Sequence, residues 1–259
     1  MCLITLSYKQ HPDYPLIVVQ NRDEFYNRPS ESLHFWEDEP NVLAGRDARH
    51  GGTWSGITRT GRFSSLNNRP FTNFIPKKET RSRGDLVRNY LTSTESPEAW
   101  LQKMLNHRKD YDSYQMVFGT LDKLYAYSNS ADRIISFQPG LYSFSNTDDD
   151  LSRHKLNRST ELVEDYLNSH PDPDVDDLIE LFKDTEKAES FNDTPFEISL
   201  ETARMHSAIF IEGQDFGTVN TTALTITQYG EVRMKEQRYN QNNTLGELSE
   251  KSFLLHSDG

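Results

Sequence analysis

The chain reads as an α+β protein in which two antiparallel sheets pack together with helices outside. Three observations carry that reading. Apolar segments of strand length recur along the sequence, most gaps between them are too short for helical crossovers, and helical periodicity is confined to two batches that interrupt the strands. No linker or shift of composition cuts the chain, so 1–259 is read as a single domain.

Apolar residues alternate over Cys2–Tyr8 and run continuously over 16–20, with a His/Pro/Asp/Tyr turn at 11–15 between them, which makes a hairpin. Strands follow at 52–57 and 61–66. The first helical batch opens at 83–91, where Leu86, Val87, Tyr90 and Leu91 share a face. It continues at 97–105, with Ser96 placed to cap, Pro97 in the first turn, and a stripe of Trp100, Leu101, Met104 and Leu105. Strands resume at 114–120, 123–128 and 141–144. The second batch covers 151–167 and 175–182, the latter carrying Val175, Leu178, Ile179 and Phe182. The acidic run Asp148, Asp149, Asp150 suits a helix N-terminus. A polar stretch at 184–203 reads as a long surface loop, and strands at 206–212, 218–227 and 231–236 close the chain.

With 28 Lys+Arg against 40 Asp+Glu the net charge is −12 and the pI about 5.1, so nucleic acid is repelled and is not an expected partner. Mean hydropathy is low at −0.77, yet 14 Phe, 12 Tyr and 3 Trp supply the core that a disordered chain lacks. No apolar run approaches the ~18–20 residues of a membrane-spanning helix, and the amino terminus has no signal-peptide pattern, so a cytoplasmic location is expected. One cysteine excludes an internal disulfide, and the eight histidines are dispersed, so no metal site is expected. There is no Gly-x-Ser-x-Gly elbow, P-loop or dinucleotide fingerprint.

The single cysteine is residue 2. Initiator methionine is commonly removed before a small residue, and the mature chain then begins with a cysteine whose α-amino group is free. Thiol and proton acceptor share one residue, because an α-amino group titrates near ~7.7–8.0. From position alone a second reading stands beside this one: a small buried residue opening an edge strand. Where the second strand ends comes Asn21-Arg22-Asp23-Glu24-Phe25, close in the hairpin to the amino terminus. Arg22 suits lowering a thiol pKa and holding a substrate carboxylate or carbonyl, Asp23 suits orienting the α-amino group, and Asn21 and Glu24 flank them as substrate contacts. A solvated turn with mutually paired charges is the other reading of this cluster. Gly51-Gly52-Thr53-Trp54 also supports two readings: Trp54 lines a substrate cleft, or a tight turn precedes a core tryptophan.

These blocks, with Arg28-Pro29, Gly45-Arg46-Asp47 and Ser82-Arg83-Gly84-Asp85-Leu86-Val87, stand in an order that resembles the NRDE family, also called the transport and Golgi organisation protein 2 family. The resemblance covers roughly the first 90 residues closely, and extends more weakly through 141–146 and Phe216-Gly217-Thr218. It implies a four-layer αββα sandwich of the N-terminal-nucleophile hydrolase type. A more distant resemblance to the bile-salt hydrolase and penicillin acylase branch implies roles residue by residue. Cys2 matches the nucleophile, Arg22 the arginine beside the thiol, and Asp23, loosely, the neighbouring aspartate. Asn68 and Asn146 match the two active-site asparagines, whose side-chain amides stabilise an oxyanion. Many family members carry an arginine where this chain has Val219, and Arg204 is the residue that would replace it. The resemblance implies a cysteine-dependent hydrolase of an amide or thioester in a small, partly apolar substrate, with no resident cofactor. The alternative it implies is a carrier that binds acyl-CoA, lipid or haem without cleaving it.

Overall fold

The computed structural model describes residues 2–69, 72–147, 150–191 and 199–256. Six strands come first: β1 (Cys2–Tyr8), β2 (Leu16–Phe25), β3 (Ser30–Phe35), β4 (Val42–Asp47), β5 (Ser55–Thr58) and β6 (Phe63–Asn68). Helices α1 (Gly84–Leu91) and α2 (Pro97–Asn106) lead into β7 (Tyr114–Gly119), β8 (Leu124–Ser128), β9 (Arg133–Ser136) and β10 (Gly140–Phe144). Helices α3 (Asp150–Ser169), α4 (Val175–Leu181) and α5 (Leu200–Ser207) precede β11 (Phe216–Ile226), β12 (Glu231–Tyr239) and β13 (Leu245–Leu254). Among the described residues no helix is long and apolar enough to cross a membrane.

By proximity of Cα atoms the chain falls into two compact units, Met1–Arg28 with Pro139–Ser252, and Pro29–Gln138 with Phe253–Gly259. The first carries a sheet of order β10-β1-β2-β11-β12-β13. Leu3, Ile17, Val19 and Ala223 of this sheet meet Val163 and Tyr166 of α3 and Val175, Leu178 and Ile179 of α4. The apolar stripes of both helices are thereby removed from water, the main stabilising term for amphipathic helices.

The second unit carries a meander, β3-β4-β5-β6-β7-β8-β9, in which every strand pairs with its neighbour in sequence. Leu86, Val87, Tyr90 and Leu91 of α1 and Trp100, Leu101 and Met104 of α2 pack with Val42, Ala44, Leu66, Met116, Phe118 and Tyr127. Tyr90 meets Trp100 and Phe118 edge-on at centroid distances of 5.6 and 5.3 Å. Ser96 caps α2 as expected, accepting from the Ala99 amide at 3.2 Å.

Three of the sequence blocks meet in this unit. Gly52 lies so near the start of α1 that a Cβ there would stand 2.6 Å from the Gly84 carbonyl carbon, and the Thr53 amide donates to the Gly84 carbonyl at 3.2 Å. Gly45 lies under the Trp54 ring, which a Cβ would meet at 2.5 Å. Asp47 closes the turn between them by accepting from the Arg49 and His50 amides at 2.9 and 3.0 Å. The Gly-Gly-Thr-Trp block therefore docks a helix and seats a half-buried tryptophan on β4.

Two expectations are corrected. Residues 206–212 do not form a strand: α5 runs to Ser207, and Ala208, Ile209, Phe210 and Ile211 follow as a buried irregular segment. Its main chain is satisfied outside any sheet, with Phe210 donating to the Asp184 carbonyl at 2.8 Å and Ile211 exchanging bonds with Thr218. A continuous apolar run signals burial without specifying a strand. The loop at 184–203 is shortened by α5, which starts at Leu200 and is capped by Ser199 through the Thr202 amide at 3.1 Å. Strands β3, β4, β9 and β13 add to the strands that the sequence pattern predicts. Of the acidic run, residues 148 and 149 lie outside the described residues, and Asp150 opens α3.

Candidate functional site

Residue 2 opens β1, and its register partner on β2 is Arg22. Arg22 pairs in turn with Asn220 on β11, and Asn220 with Arg238 on β12. A row of positions 2, 22, 220 and 238 thus crosses four adjacent strands. Directly opposed residues of an antiparallel pair share a face, so Arg22, Asn220 and Arg238 are presented together. Arg22 is only 6% exposed and Asn220 1%. The Asn220 side chain has no hydrogen-bond partner for its oxygen or its nitrogen among the described residues. Buried amides are satisfied as a rule, so an orphan here marks a place for a missing acceptor or donor.

The register slips by one at Val219, so that Thr218 pairs with Asp23 while Asn220 pairs with Arg22. Arg22 and Asp23 alternate faces of β2, and the slip gives each its own partner. Asp23, 4% exposed, accepts from the Thr218 hydroxyl at 2.8 Å. That hydroxyl accepts from the Ile211 amide at 2.9 Å, which ties the carboxylate to the irregular segment after α5. Burial pushes the Asp23 carboxyl above the usual range, while the amino-terminal charge, Lys155 and the Thr218 bond pull it back. Lys155, on α3, is 1% exposed. His206, on α5, is pushed down to about 4 by burial, with Lys155 and the amino terminus adding to the effect. Its ring meets Phe216 edge-on at 5.6 Å. One end of the sheet therefore gathers the buried side chains of Asp23 and Lys155 and an imidazole that burial keeps neutral near pH 7.

Asn146 joins the same end. It is fully buried and lies two residues beyond Phe144, the last residue of β10, which pairs with Ile4 near the start of β1. The Asn21 side chain is engaged in packing contacts. Its nitrogen donates to the Phe182 and Ile209 carbonyls, each at 2.9 Å, and its oxygen accepts from Thr221 at 2.6 Å. These bonds fasten the end of α4 and the irregular segment to the sheet. Glu24 accepts from the Phe25 amide at 2.9 Å, at the strand end. Arg204 is exposed on α5, beside Lys187, Met205 and Glu212; the arginine that aligns with Arg22 is Arg238 instead. Asn68 and Trp54 belong to the second unit, Asn68 at the end of β6 paired with Tyr114.

Sequence reasoning missed Lys155, Asn220 and Arg238. Lys155 had a signal: it falls on the same helical face as Ser159, Val163 and Tyr166, a lysine where the period asks for a core residue. Asn220 and Arg238 had none, since only the register across distant strands brings them to Arg22.

A family model described as Transport and Golgi organisation 2 matches residues 1–241. The mouse protein "Transport and Golgi organization 2 homolog" is 34% identical over 162 residues, 56% of this chain and 57% of that protein. The human homolog is 32% identical over 162 residues, 56% of this chain and 57% of that protein. The match thus spans little more than half of these curated relatives. Among solved structures, the C2A mutant of conjugated bile acid hydrolase from Clostridium perfringens aligns with a TM-score of 0.56 and 9% identity, covering 98% of this chain and 92% of that one. At so low an identity the likeness is one of fold, and the fold is N-terminal-nucleophile-hydrolase-like. With its model spanning nearly the entire sequence, this chain belongs to the Transport and Golgi organisation 2 family.

Proposed function

We propose that the protein is an N-terminal cysteine hydrolase cleaving an amide or thioester of a small, partly apolar substrate. The observation that carries this reading is the register of residue 2 with Arg22, beside the buried Asp23. The unpartnered amide of Asn220 and the likeness in fold to a conjugated bile acid hydrolase add support.

In this scheme removal of Met1 frees the α-amino group of Cys2, which takes the thiol proton. The thiolate attacks the carbonyl carbon and the carbonyl π electrons move to oxygen, where the Asn146 and Asn220 amides donate. Collapse expels the amine or thiol, protonated by the α-ammonium group. Water then attacks the acyl-cysteine thioester with the α-amine as base, releasing the acid and the thiol. Arg22 favours the thiolate and Asp23 steadies the ammonium group.

The test is intact-mass analysis of the untagged protein after incubation with acyl-CoA thioesters and with aryl amides. Loss of Met1 and an acyl adduct on the peptide bearing Cys2 are expected, both adduct and turnover vanishing in Cys2→Ala. Turnover that persists in Cys2→Ala overturns the hydrolase. Stoichiometric retention of acyl-CoA, lipid or haem that survives Cys2→Ala and is lost in Arg22→Ala would replace it with a carrier.

A further inference from the structure

A cavity of about 470 Å³ opens in the second unit between α1 and α2, within the range of small-molecule sites. Its apolar wall is made by Leu86, Trp100, Met104 and Tyr111, all buried. Its polar rim includes Arg81, Lys103 and His107. Two of those three are compensated. Lys103 is paired with Glu95 at 3.3 Å and lies over the Trp100 ring at 5.0 Å. His107 is paired with Asp110 at 2.9 Å. The Arg81 side chain makes no hydrogen bond or ion pair among the described residues, although its main chain is fixed by a bridge to Tyr111 and by donation to the Asp110 carbonyl at 2.9 Å.

We infer that this cavity binds a small carboxylate with an aromatic or aliphatic tail, the head on Arg81 and the tail against Trp100, Leu86 and Met104. An uncompensated guanidinium beside an apolar basin selects an anion that also buries hydrocarbon. The site is independent of Cys2 and of the hydrolase reading.

The experiment uses 4-phenylbutyrate and its uncharged analogue 4-phenylbutanol as probes, titrated calorimetrically into the full chain and into Arg81→Gln. Arg81 is exposed, so the variant is expected to melt at the same temperature. The acid is expected to bind the native chain and to weaken about tenfold or more in Arg81→Gln, the alcohol binding both proteins alike. Amides of residues 84–107 are expected to exchange more slowly when the acid is bound. Failure of the acid to bind, equal affinity for both proteins, an alcohol as tight as the acid in the native chain, or protection confined to other residues overturns the site.

Discussion

His206 is the residue whose chemistry the fold alters most legibly. Its imidazole is held near 4 by burial first and by Lys155 and the amino terminus second. In the unfolded chain it returns to about 6.5. Between those values the unfolded state binds the proton and the folded state does not, so stability present above pH ~6.5 is lost as pH falls toward 4, by up to ~1.4 kcal/mol per pH unit. Asp23, raised in the folded state, works with the opposite slope. The native chain compared with His206→Gln therefore isolates the histidine. Urea midpoints measured from pH 7 to pH 4 should fall more steeply in the native chain, and parallel curves would refute the assignment. Arg22 and Asp23 stood out as a candidate pair because four polar residues end an apolar strand. The orphaned amide of Asn220 was not, because an asparagine in a run of threonines carries no signal until its register partner is known.

Elements with an apolar period announce themselves in the sequence. Both stripes of α1 and α2 were legible, and so was the Ser96 cap. Polar burial leaves no such pattern in the sequence. Helix α3 buries Ser152, Lys155 and Ser159 on the same face as Val163 and Tyr166, and Thr5 of β1 donates to Ser159 at 3.1 Å. Strands β9 and β13 are mostly exposed and carry little apolar alternation, so nothing marked them. The glycine-rich block was legible as a constraint, and its purpose became clear only with α1 in place. Gly52→Ala would drive a methyl into the Gly84 main chain, which has no flexible side chain to give way. We expect a loss of roughly 1–3 kcal/mol by overpacking, seen as a lower unfolding midpoint. Gly61→Ala, whose Cβ meets only the Leu255 side chain at 3.3 Å, should move it less despite a positive φ. Equal losses would discount the close approach of α1.

At the scale of the whole molecule the two sheets differ in what sequence can disclose. The seven-stranded sheet follows chain order throughout, so its hairpins were within reach of local patterns. The six-stranded sheet joins β1 to β10 and β2 to β11, partners separated by more than a hundred residues, and no local signal sets such pairings. That arrangement also fixes where the structure opens. In β2, eight consecutive residues from Leu16 to Asp23 are buried, and a strand lies on each side. In the other sheet β6 and β7 hold the comparable position; the edges are β3 and β9 there and β10 and β13 in the six-stranded sheet. Local opening draws on strands with few buried contacts, and interior strands release their amides only with larger disruptions. Hydrogen exchange followed by mass spectrometry should therefore show the slowest amides in β2, β11, β6 and β7, and exchange faster by orders of magnitude in β9 and β13. Protection of β13 equal to that of β2 would mean that its exposed edge is covered, and the strand order would then have to be redrawn around a second chain.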